Sequence, residues 1–243
     1  MESKFDYKYL SPIYDACKSL FWDNYSKQLQ SVFLKIPKSV LDLGCGTGLA
    51  INYLNCKPDS YVGVDISQSM LEVAKAKYPI FDFRHKSILT FSEPREFDLV
   101  LSAFDTLNHL LRIEDWGLAF HTARRHLSSE GYFVFDVVTP FDHEFNWPRQ
   151  VNVTESENWL YIQRSEFDGR TGLAIMTNTI FHKIDLTWTR LDEEIKQISL
   201  PVNIILELLL NARLECFRII DIQSGDPPID SSATLLFFCK SIN

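Results

Sequence analysis

A chain of 243 residues with 46% hydrophobic and 23% charged residues has the composition of an ordinary globular protein, with room for one large α/β domain or two small ones. Its formal net charge of −8 argues against a nucleic-acid partner, because the phosphate backbone attracts clustered Lys and Arg. The five cysteines are scattered without C-x-x-C spacing, which favours reduced thiols over a disulfide framework or a zinc site.

The first region, residues 1–38, is predicted to form two helices. Ser11 followed by Pro12 suits the N-cap and the first turn of the earlier helix. The opening MESKFDYKYL lacks the apolar core of a signal peptide, so we expect a cytoplasmic protein.

From residue 39 to 140, short apolar runs alternate with helical patterns. The runs that indicate strands are SVLDL, YVGVDI, FDFRHKSI, FDLVLSAF and GYFVFDVV. The segments with apolar residues spaced by three and four are GLAINYLN, SMLEVAKAKY and EDWGLAFHTARRHLSS. Ser69 and Glu72 suggest a capping box at the start of the second helix. This alternation predicts a parallel sheet covered by helices on both faces.

After Pro140 the pattern changes. Residues 141–199 contain strand-like segments joined by polar turns, which predicts an inserted antiparallel meander. Residues 200–243 then predict one helix and two more strands. Their most apolar run, ISLPVNIILELLL, is short and interrupted by Pro201, so we expect no membrane-spanning helix.

The motif VLDLGCGTG places three glycines between the first strand and the first helix. Glycine permits a positive φ there and lets a ligand approach the backbone, while the following helix N-terminus favours negative charge. Asp65 ends the second strand 23 positions after Asp42, where a carboxylate can accept hydrogen bonds from ribose hydroxyls. Together these features favour a nucleotide-containing ligand over a tight structural turn.

Two cofactor classes use such a unit. The dinucleotide fingerprint G-x-G-x-x-G/A requires glycine or alanine where Leu49 stands, which disfavours an NAD-type oxidoreductase. The pattern D-x-G-x-G-x-G, with VGVDIS and FDLVLSAFDTLNHL, resembles the class I S-adenosylmethionine-dependent methyltransferases over residues 40–140. The resemblance implies S-adenosyl-L-methionine as cofactor and S-adenosyl-L-homocysteine as product. It also implies a Rossmann-like, doubly wound, mostly parallel seven-stranded sheet with an antiparallel end.

The resemblance further implies where the cofactor would lie. Gly44, Cys45 and Gly46 would lie against its amino-acid end. Asp42 would stabilise the loop or reach the amino group, and Asp65 would bind the ribose.

The adenine would lie between Ile66 and Met70, where an apolar slot and a polarisable thioether suit a flat ring. The family usually carries an acid at the end of the third strand, which pairs with the adenine amino group. Ser87 stands there in this sequence, so its hydroxyl and the backbone N–H of Ile88 are the expected partners instead.

The segment SAFDTLNHLL follows the fourth strand, at the edge of the sheet that carries the site in such folds. We therefore expect Asp105, Asn108 and His109 to face the methyl acceptor, with Asp105 and His109 as candidate bases. The alternatives are that Asp105 caps a short helix and that His109 is a solvated loop residue. The segment lacks the N/D-P-P-Y/F/W motif of nucleic-acid adenine methyltransferases, and too few acids cluster to indicate a metal.

Two further segments resemble a branch that includes sugar-amine and small-amine N-methyltransferases. YLSPIYDACKSLFWDNY resembles its N-terminal helical lid, which implies a contact of Tyr14 near the sulfonium or the carboxylate; Trp22 is expected only to pin the helices. TWTRLDEEIKQISL resembles the strand before its late helix, with Trp188 and Arg190 as candidate acceptor contacts. The meander would roof the acceptor pocket or form a homodimer contact.

The sequence therefore predicts a methyltransferase acting on a small-molecule acceptor, with an amine favoured over an oxygen or carbon nucleophile. Two alternatives stay open at this point. One is a non-catalytic module of the same fold, for which Ser87 is the only support, and the other is the NAD-type oxidoreductase. The acceptor itself is not specified by any motif.

Overall fold

The computed structural model describes residues 7–17, 25–29, 37–54, 57–148 and 150–242. In the predicted N-terminal helices, residues 14–17 and 25–29 are helical, while Trp22 and most of the second helix lie outside the described residues. The later helices are α1 (Ala50–Tyr53), α2 (Gln68–Lys77), α3 (Ile113–His126) and α4 (Val202–Asn211).

The described strands form two sheets. The first contains β1 (Val40–Leu43), β2 (Tyr61–Asp65), β3 (Asp82–His85), β4 (Phe97–Ser102), β5 (Leu127–Val138), β10 (Leu214–Asp221) and β11 (Thr234–Ser241). The second contains β6 (Val151–Glu155), β7 (Trp159–Asp168), β8 (Leu173–Ile184) and β9 (Thr187–Ile198).

The first sheet, called the core sheet below, has the order β10-β11-β5-β4-β1-β2-β3. The pairs among β1 to β5 are parallel, and β11 runs antiparallel to both β5 and β10. The prediction of a mostly parallel seven-stranded sheet with an antiparallel end is confirmed. Because the chain leaves β1 toward β2 but β4 lies on its other side, a crevice opens at the carboxyl ends of these strands.

Helices cover both faces of the core sheet, as its apolar strands predict. Leu41 and Leu43 of β1 pack in one cluster with Trp116 of α3 and Ile205 of α4. Val40, one position before Leu41, belongs to the opposite cluster with residues of α1 and α2. The alternation of side chains along each strand therefore divides one apolar run between two cores.

The second sheet, called the meander below, is antiparallel in the order β6-β7-β8-β9. The sequence predicted three of its strands. The fourth strand, β6, was missed: Val151 and Val153 alternate with polar residues in it, but the pattern covers only five residues, and all of them are exposed.

Two local predictions were wrong. The N-cap of α2 is Ser67, whose hydroxyl accepts a hydrogen bond from the Met70 backbone N–H at 3.1 Å, rather than Ser69. Strand β5 begins at Leu127, so the predicted helix over 114–129 ends earlier than its apolar pattern suggested. Within the described residues, no helix is both long and apolar enough to cross a membrane.

Candidate active site

The glycine loop after β1 is fixed by the neighbouring strand. The backbone N–H groups of Gly44 and Cys45 both donate to the carbonyl of Val64, at 2.7 and 3.0 Å. The glycines have positive φ, +82° at Gly44 and +52° at Gly46. A Cβ at Gly44 would overlap the Thr106 side chain, whereas a Cβ at Gly46 would meet nothing within 4 Å. The loop is therefore packed at its first glycine and open at its second.

Asp65, at the end of β2, holds the same loop. One carboxylate oxygen accepts from the Gly46 N–H at 2.7 Å and the other from the Ser67 N–H at 2.8 Å. Burial raises the pKa of Asp65, and these backbone donors act in the opposite direction. Each oxygen keeps a further lone pair that can accept from a ligand hydroxyl.

A first cavity of about 250 Å³ opens at the carboxyl ends of β1 to β4. Many of the predicted cofactor residues line it: Tyr14, Gly44, Gly46, Asp65, Ile66, Met70, Ser87 and Ile88. His109 also lines this cavity. The sequence thus brings together residues separated by up to 95 positions at one edge of the sheet.

Two predicted cofactor residues do not line the first cavity. Asp42 is buried and accepts a hydrogen bond from the Tyr61 hydroxyl at 2.8 Å; burial raises its pKa to about 7. Cys45 is buried too, and its sulfur packs where a Cβ on Gly63 would lie only 2.8 Å away. The Asp42 side chain therefore links β1 to β2 through the Tyr61 hydroxyl.

The first cavity also has walls that sequence reasoning missed. The turn after β4 contributes Thr106, and the segment that follows contributes Arg112 and Asp115 at the start of α3. Tyr7 closes the N-terminal side. Nothing in the local pattern marked Asp115, because an acid in the first turn of a helix is common for reasons of the helix dipole.

A second cavity of about 210 Å³ lies between the core sheet and the meander. Tyr14 and Phe104 line both cavities, so the two share a wall. The core side supplies Asp105, Asp136 and Asp142, and the meander side supplies Asn152, Gln163, Ser165 and Met176. The meander therefore roofs a cavity that adjoins the first one.

A strained turn carries Asp105 into the second cavity. Phe104 and Asp105 both have left-handed backbones, with φ of 58° and 51°, although neither is glycine. The Asp136 carboxylate accepts from both of their N–H groups, at 2.7 and 2.9 Å. Burial, aided by the charge of Asp105, raises the pKa of Asp136 to about 7. Left-handed backbone costs about 1–2 kcal/mol per residue, so Asp136 stabilises an otherwise unfavourable turn.

A polar network borders both cavities. Gln197 of β9 donates to the Asp105 carboxylate, and its carbonyl oxygen lies 3.2 Å from His143 Nε2. The Tyr7 hydroxyl is hydrogen-bonded to His109 Nε2 at 3.0 Å. Burial lowers the pKa of His109, and it lowers the pKa of His143 to about 4. Both imidazoles are therefore neutral at physiological pH.

Three residues predicted to contact the acceptor lie outside both cavities. Asn108 is fully buried: its amide donates to the Val138 and Ile198 carbonyls at 3.0 and 2.9 Å, and its oxygen accepts from the Val138 N–H. It joins the core sheet to the meander. Trp188 is half exposed near the tip of the β8–β9 hairpin, and Arg190 pairs with an acid on its own strand. Such exposure follows from the position of β9 at the edge of the meander.

Several known proteins that are similar to this chain are methyltransferases. A family model described as a methyltransferase domain matches residues 40–131, which include the glycine loop, Asp65 and the strained turn. The putative methyltransferase YqeM of Bacillus subtilis is 27% identical over 239 residues, covering 95% of each chain. These matches support a class I S-adenosylmethionine-dependent methyltransferase.

Other relatives and solved structures match the chain to different extents. A dTDP-3-amino-3,4,6-trideoxy-alpha-D-glucopyranose N,N-dimethyltransferase of Streptomyces venezuelae is 26% identical over 55% of the chain and 52% of its own length. Among solved structures, an S-adenosylmethionine-dependent methyltransferase from Clostridium acetobutylicum superposes with a TM-score of 0.84 at 21% identity, covering 98% and 99% of the two chains. A sugar N-methyltransferase from Streptoalloteichus superposes with a TM-score of 0.71 at 18% identity, covering 92% and 86%. At these identities the superpositions establish the fold.

The first cavity of the methyltransferase fits S-adenosylmethionine. Gly46 leaves open space where any side chain would intrude, and Asp65 presents a carboxylate suited to a ribose diol. Met70 and Ile88 supply apolar walls suited to a flat ring. Among the described residues, no group of three or more His, Cys, Asp or Glu could hold a metal ion.

Proposed function

We propose that this methyltransferase transfers a methyl group to the nitrogen of a small-molecule amine. The observation that carries the proposal is the shared wall of the two cavities, formed by Tyr14 and Phe104. One cavity fits the methyl donor, and the adjoining one holds carboxylates and aromatic rings suited to an amine. The N,N-dimethyltransferases of amino sugars among the relatives lend further support.

In this proposal the first cavity holds the cofactor. The amino-acid end would lie along Gly44 and Gly46, the ribose hydroxyls would donate to Asp65, and the adenine would lie against Ile66 and Met70. Ser87 and the N–H of Ile88 serve its polar edge. Asp115, on the same cavity wall, supplies the carboxylate that the end of β3 lacks.

When bound, the cofactor supplies an electrophilic methyl group on a positively charged sulfur. The nitrogen lone pair of the acceptor forms the new C–N bond as the C–S bond breaks and its electron pair stays on sulfur, and one proton leaves the nitrogen. The protein must mainly align the two reactants at about 3–3.5 Å and exclude water, which can supply roughly 7–11 kcal/mol.

Asp105 is the base in this proposal, because its carboxylate lines the second cavity whereas His109 lines the first. The amine must lose a proton before its lone pair can attack. Asp105 Oδ2 lies 4.0 Å from His109 Nε2, beyond hydrogen-bond reach, so Asp105 itself is the group that takes the proton in this proposal. Gln197 holds the carboxylate in position through its amide.

The test is a product assay. The purified protein is incubated with S-adenosylmethionine and panels of amines, alcohols and phenols, and S-adenosylhomocysteine and methylated product are measured by mass spectrometry. We expect methylated amines, with Asp105→Asn lowering kcat about 100-fold and Asp185→Asn, at the exposed β8–β9 turn, leaving it unchanged. Methylation of alcohols or phenols alone would contradict the amine assignment, and cofactor binding without turnover on any panel would favour the non-catalytic alternative.

A further inference from the structure

Three carboxylates enter the second cavity from three different elements. Asp105 comes from the turn after β4, Asp136 from β5, and Asp142 from the short helical turn that follows β5. Asp142 is held by the Asn146 amide at 2.7 Å and the Trp147 indole N–H at 3.0 Å. Burial raises the pKa values of Asp136 and Asp142, and the charge of Asp105 adds to the rise. A cation in the cavity would relieve this mutual repulsion.

Aromatic rings stand beside these carboxylates. Tyr14, Tyr25, Phe104 and Trp147 all line the second cavity. Tyr25 and Phe104 are stacked, with ring centroids 6.2 Å apart and planes inclined by 12°. Aromatic faces attract ammonium groups by cation–π interaction, most strongly where water is excluded. The carboxylates and the rings together thus form a surface suited to a compact cation. The aromatic rings support this conclusion independently of the acidic side chains.

The opposite wall is polar and uncharged. Gln150, Asn152, Gln163 and Ser165 face the second cavity from the meander and the segment before it. Side-chain amides and hydroxyls can donate to and accept from the hydroxyl groups of a ligand. The meander wall therefore suits a hydroxyl-bearing molecule.

The acidic lining of the second cavity disfavours binding of a diphosphate. Phosphate groups are bound in proteins by Arg, by Lys or by helix N-termini. Among the described residues that line the second cavity, none is Arg or Lys. The relatives named as N,N-dimethyltransferases are named for acceptors that carry dTDP, with a negatively charged diphosphate.

We infer that the acceptor of this chain is a compact, hydroxyl-bearing amine that enters the second cavity as a cation, and not a nucleoside-diphosphate amino sugar. The inference rests on the proposed function, since that assigns the second cavity to the acceptor. It concerns recognition, so binding tests it without turnover.

The direct test uses a matched pair of ligands: free 3-amino-3-deoxyglucose and the same sugar as its dTDP conjugate. Each is titrated calorimetrically into the protein saturated with S-adenosylhomocysteine, with glucose as the uncharged control. The free amino sugar should bind at least tenfold more tightly than either the conjugate or glucose, and its affinity should fall as salt is added. Equal or tighter binding of the conjugate, or no binding of the free amino sugar, overturns the inference.

Two isosteric variants locate the effect. Asp142→Asn removes one charge from the second cavity and should weaken binding of the amino sugar about tenfold while S-adenosylhomocysteine affinity stays unchanged. Asp185→Asn, at the tip of the β8–β9 hairpin and outside both cavities, should change neither. An unaltered amino-sugar affinity in a folded Asp142→Asn protein would contradict the assigned site.

Failure of the inference and failure of the proposed function give different results. If the conjugate is methylated with the higher kcat/KM, the methyltransferase proposal stands and the inference is overturned. If the amino sugar binds selectively but no methyl group is transferred to any amine, the inference about recognition stands and the proposed function fails.

Discussion

The Asp65 carboxylate accepts a hydrogen bond of 2.7 Å from the backbone N–H of Gly46, nineteen positions earlier in the chain. This bond joins the acid at the end of β2 to the open glycine of the loop after β1. The two residues also line the same cavity. The loop and the carboxylate therefore form one structural unit, and changing either should affect ligand binding in a defined way.

Replacing Asp65 by alanine removes the acceptor for the N–H groups of Gly46 and Ser67 as well as the proposed ribose contact. Hydrogen bonds to charged groups contribute about 1.5–3 kcal/mol each, so affinity for S-adenosylhomocysteine should fall about 10- to 100-fold or more. Calorimetric titration of the folded variant measures this. Wild-type affinity in Asp65→Ala would show that the ribose assignment is wrong.

Gly46 has a matched control in Gly172, in the turn between β7 and β8. Both have positive φ, and at both a Cβ would meet nothing within 4 Å. Alanine at either position should therefore cost about 1–2 kcal/mol of stability in urea unfolding. Only Gly46→Ala should also lose affinity for S-adenosylhomocysteine, because only its methyl group would occupy the first cavity. An equal loss of affinity in the two variants would show that the methyl group at position 46 does not act by occupying the first cavity.

Asn108 should matter for stability rather than for acceptor binding. Its side chain makes three buried hydrogen bonds, and two of them involve the backbone of Val138 while the third reaches Ile198 of the meander. Asn108→Ala leaves these groups unpaired, which should cost about 2–5 kcal/mol in urea unfolding. A cost below about 0.5 kcal/mol would mean that the meander does not depend on this connection.

Asp42 should make stability depend on pH in an unusual direction. Its pKa is about 7 in the folded protein, mainly because of burial, so the folded state keeps a proton that the unfolded state has released above about pH 4. The contribution of this group to stability therefore falls as pH rises through 7.

The control for Asp42 is Asp42→Asn, which keeps an oxygen for the Tyr61 hydroxyl but cannot ionise. The stability of wild type relative to Asp42→Asn should decrease by about 3 kcal/mol between pH 5 and pH 8. Urea unfolding of both proteins at these two pH values tests it. A difference that is constant with pH would show that Asp42 is ionised in the folded state throughout.

The core sheet could be predicted because its signals are local. Near-continuous apolar strands that alternate with helices predict a parallel sheet, and Asp65 can be singled out because it ends the second of these strands. Strand β6 was missed because its alternation of valine with polar residues covers only five positions and neither face of the strand is buried.

The second cavity depends on tertiary contacts that no motif records. Asp136 lies inside an apolar strand, and its role becomes clear only where it meets the strained turn at Phe104 and Asp105. Asn108 is the opposite case. It is a polar residue in the loop after β4, where acceptor contacts were expected, but its side chain connects the core sheet to the meander. Residue type and neighbourhood in the sequence do not distinguish these two cases.

The most direct test of the central claim is calorimetric titration of the wild-type protein and of Gly46→Ala with S-adenosylhomocysteine and with NAD. We expect micromolar binding of S-adenosylhomocysteine to wild type, strong weakening in Gly46→Ala, and no binding of NAD to either. Binding of NAD, or failure of the folded wild type to bind S-adenosylhomocysteine, would contradict the assignment of the first cavity.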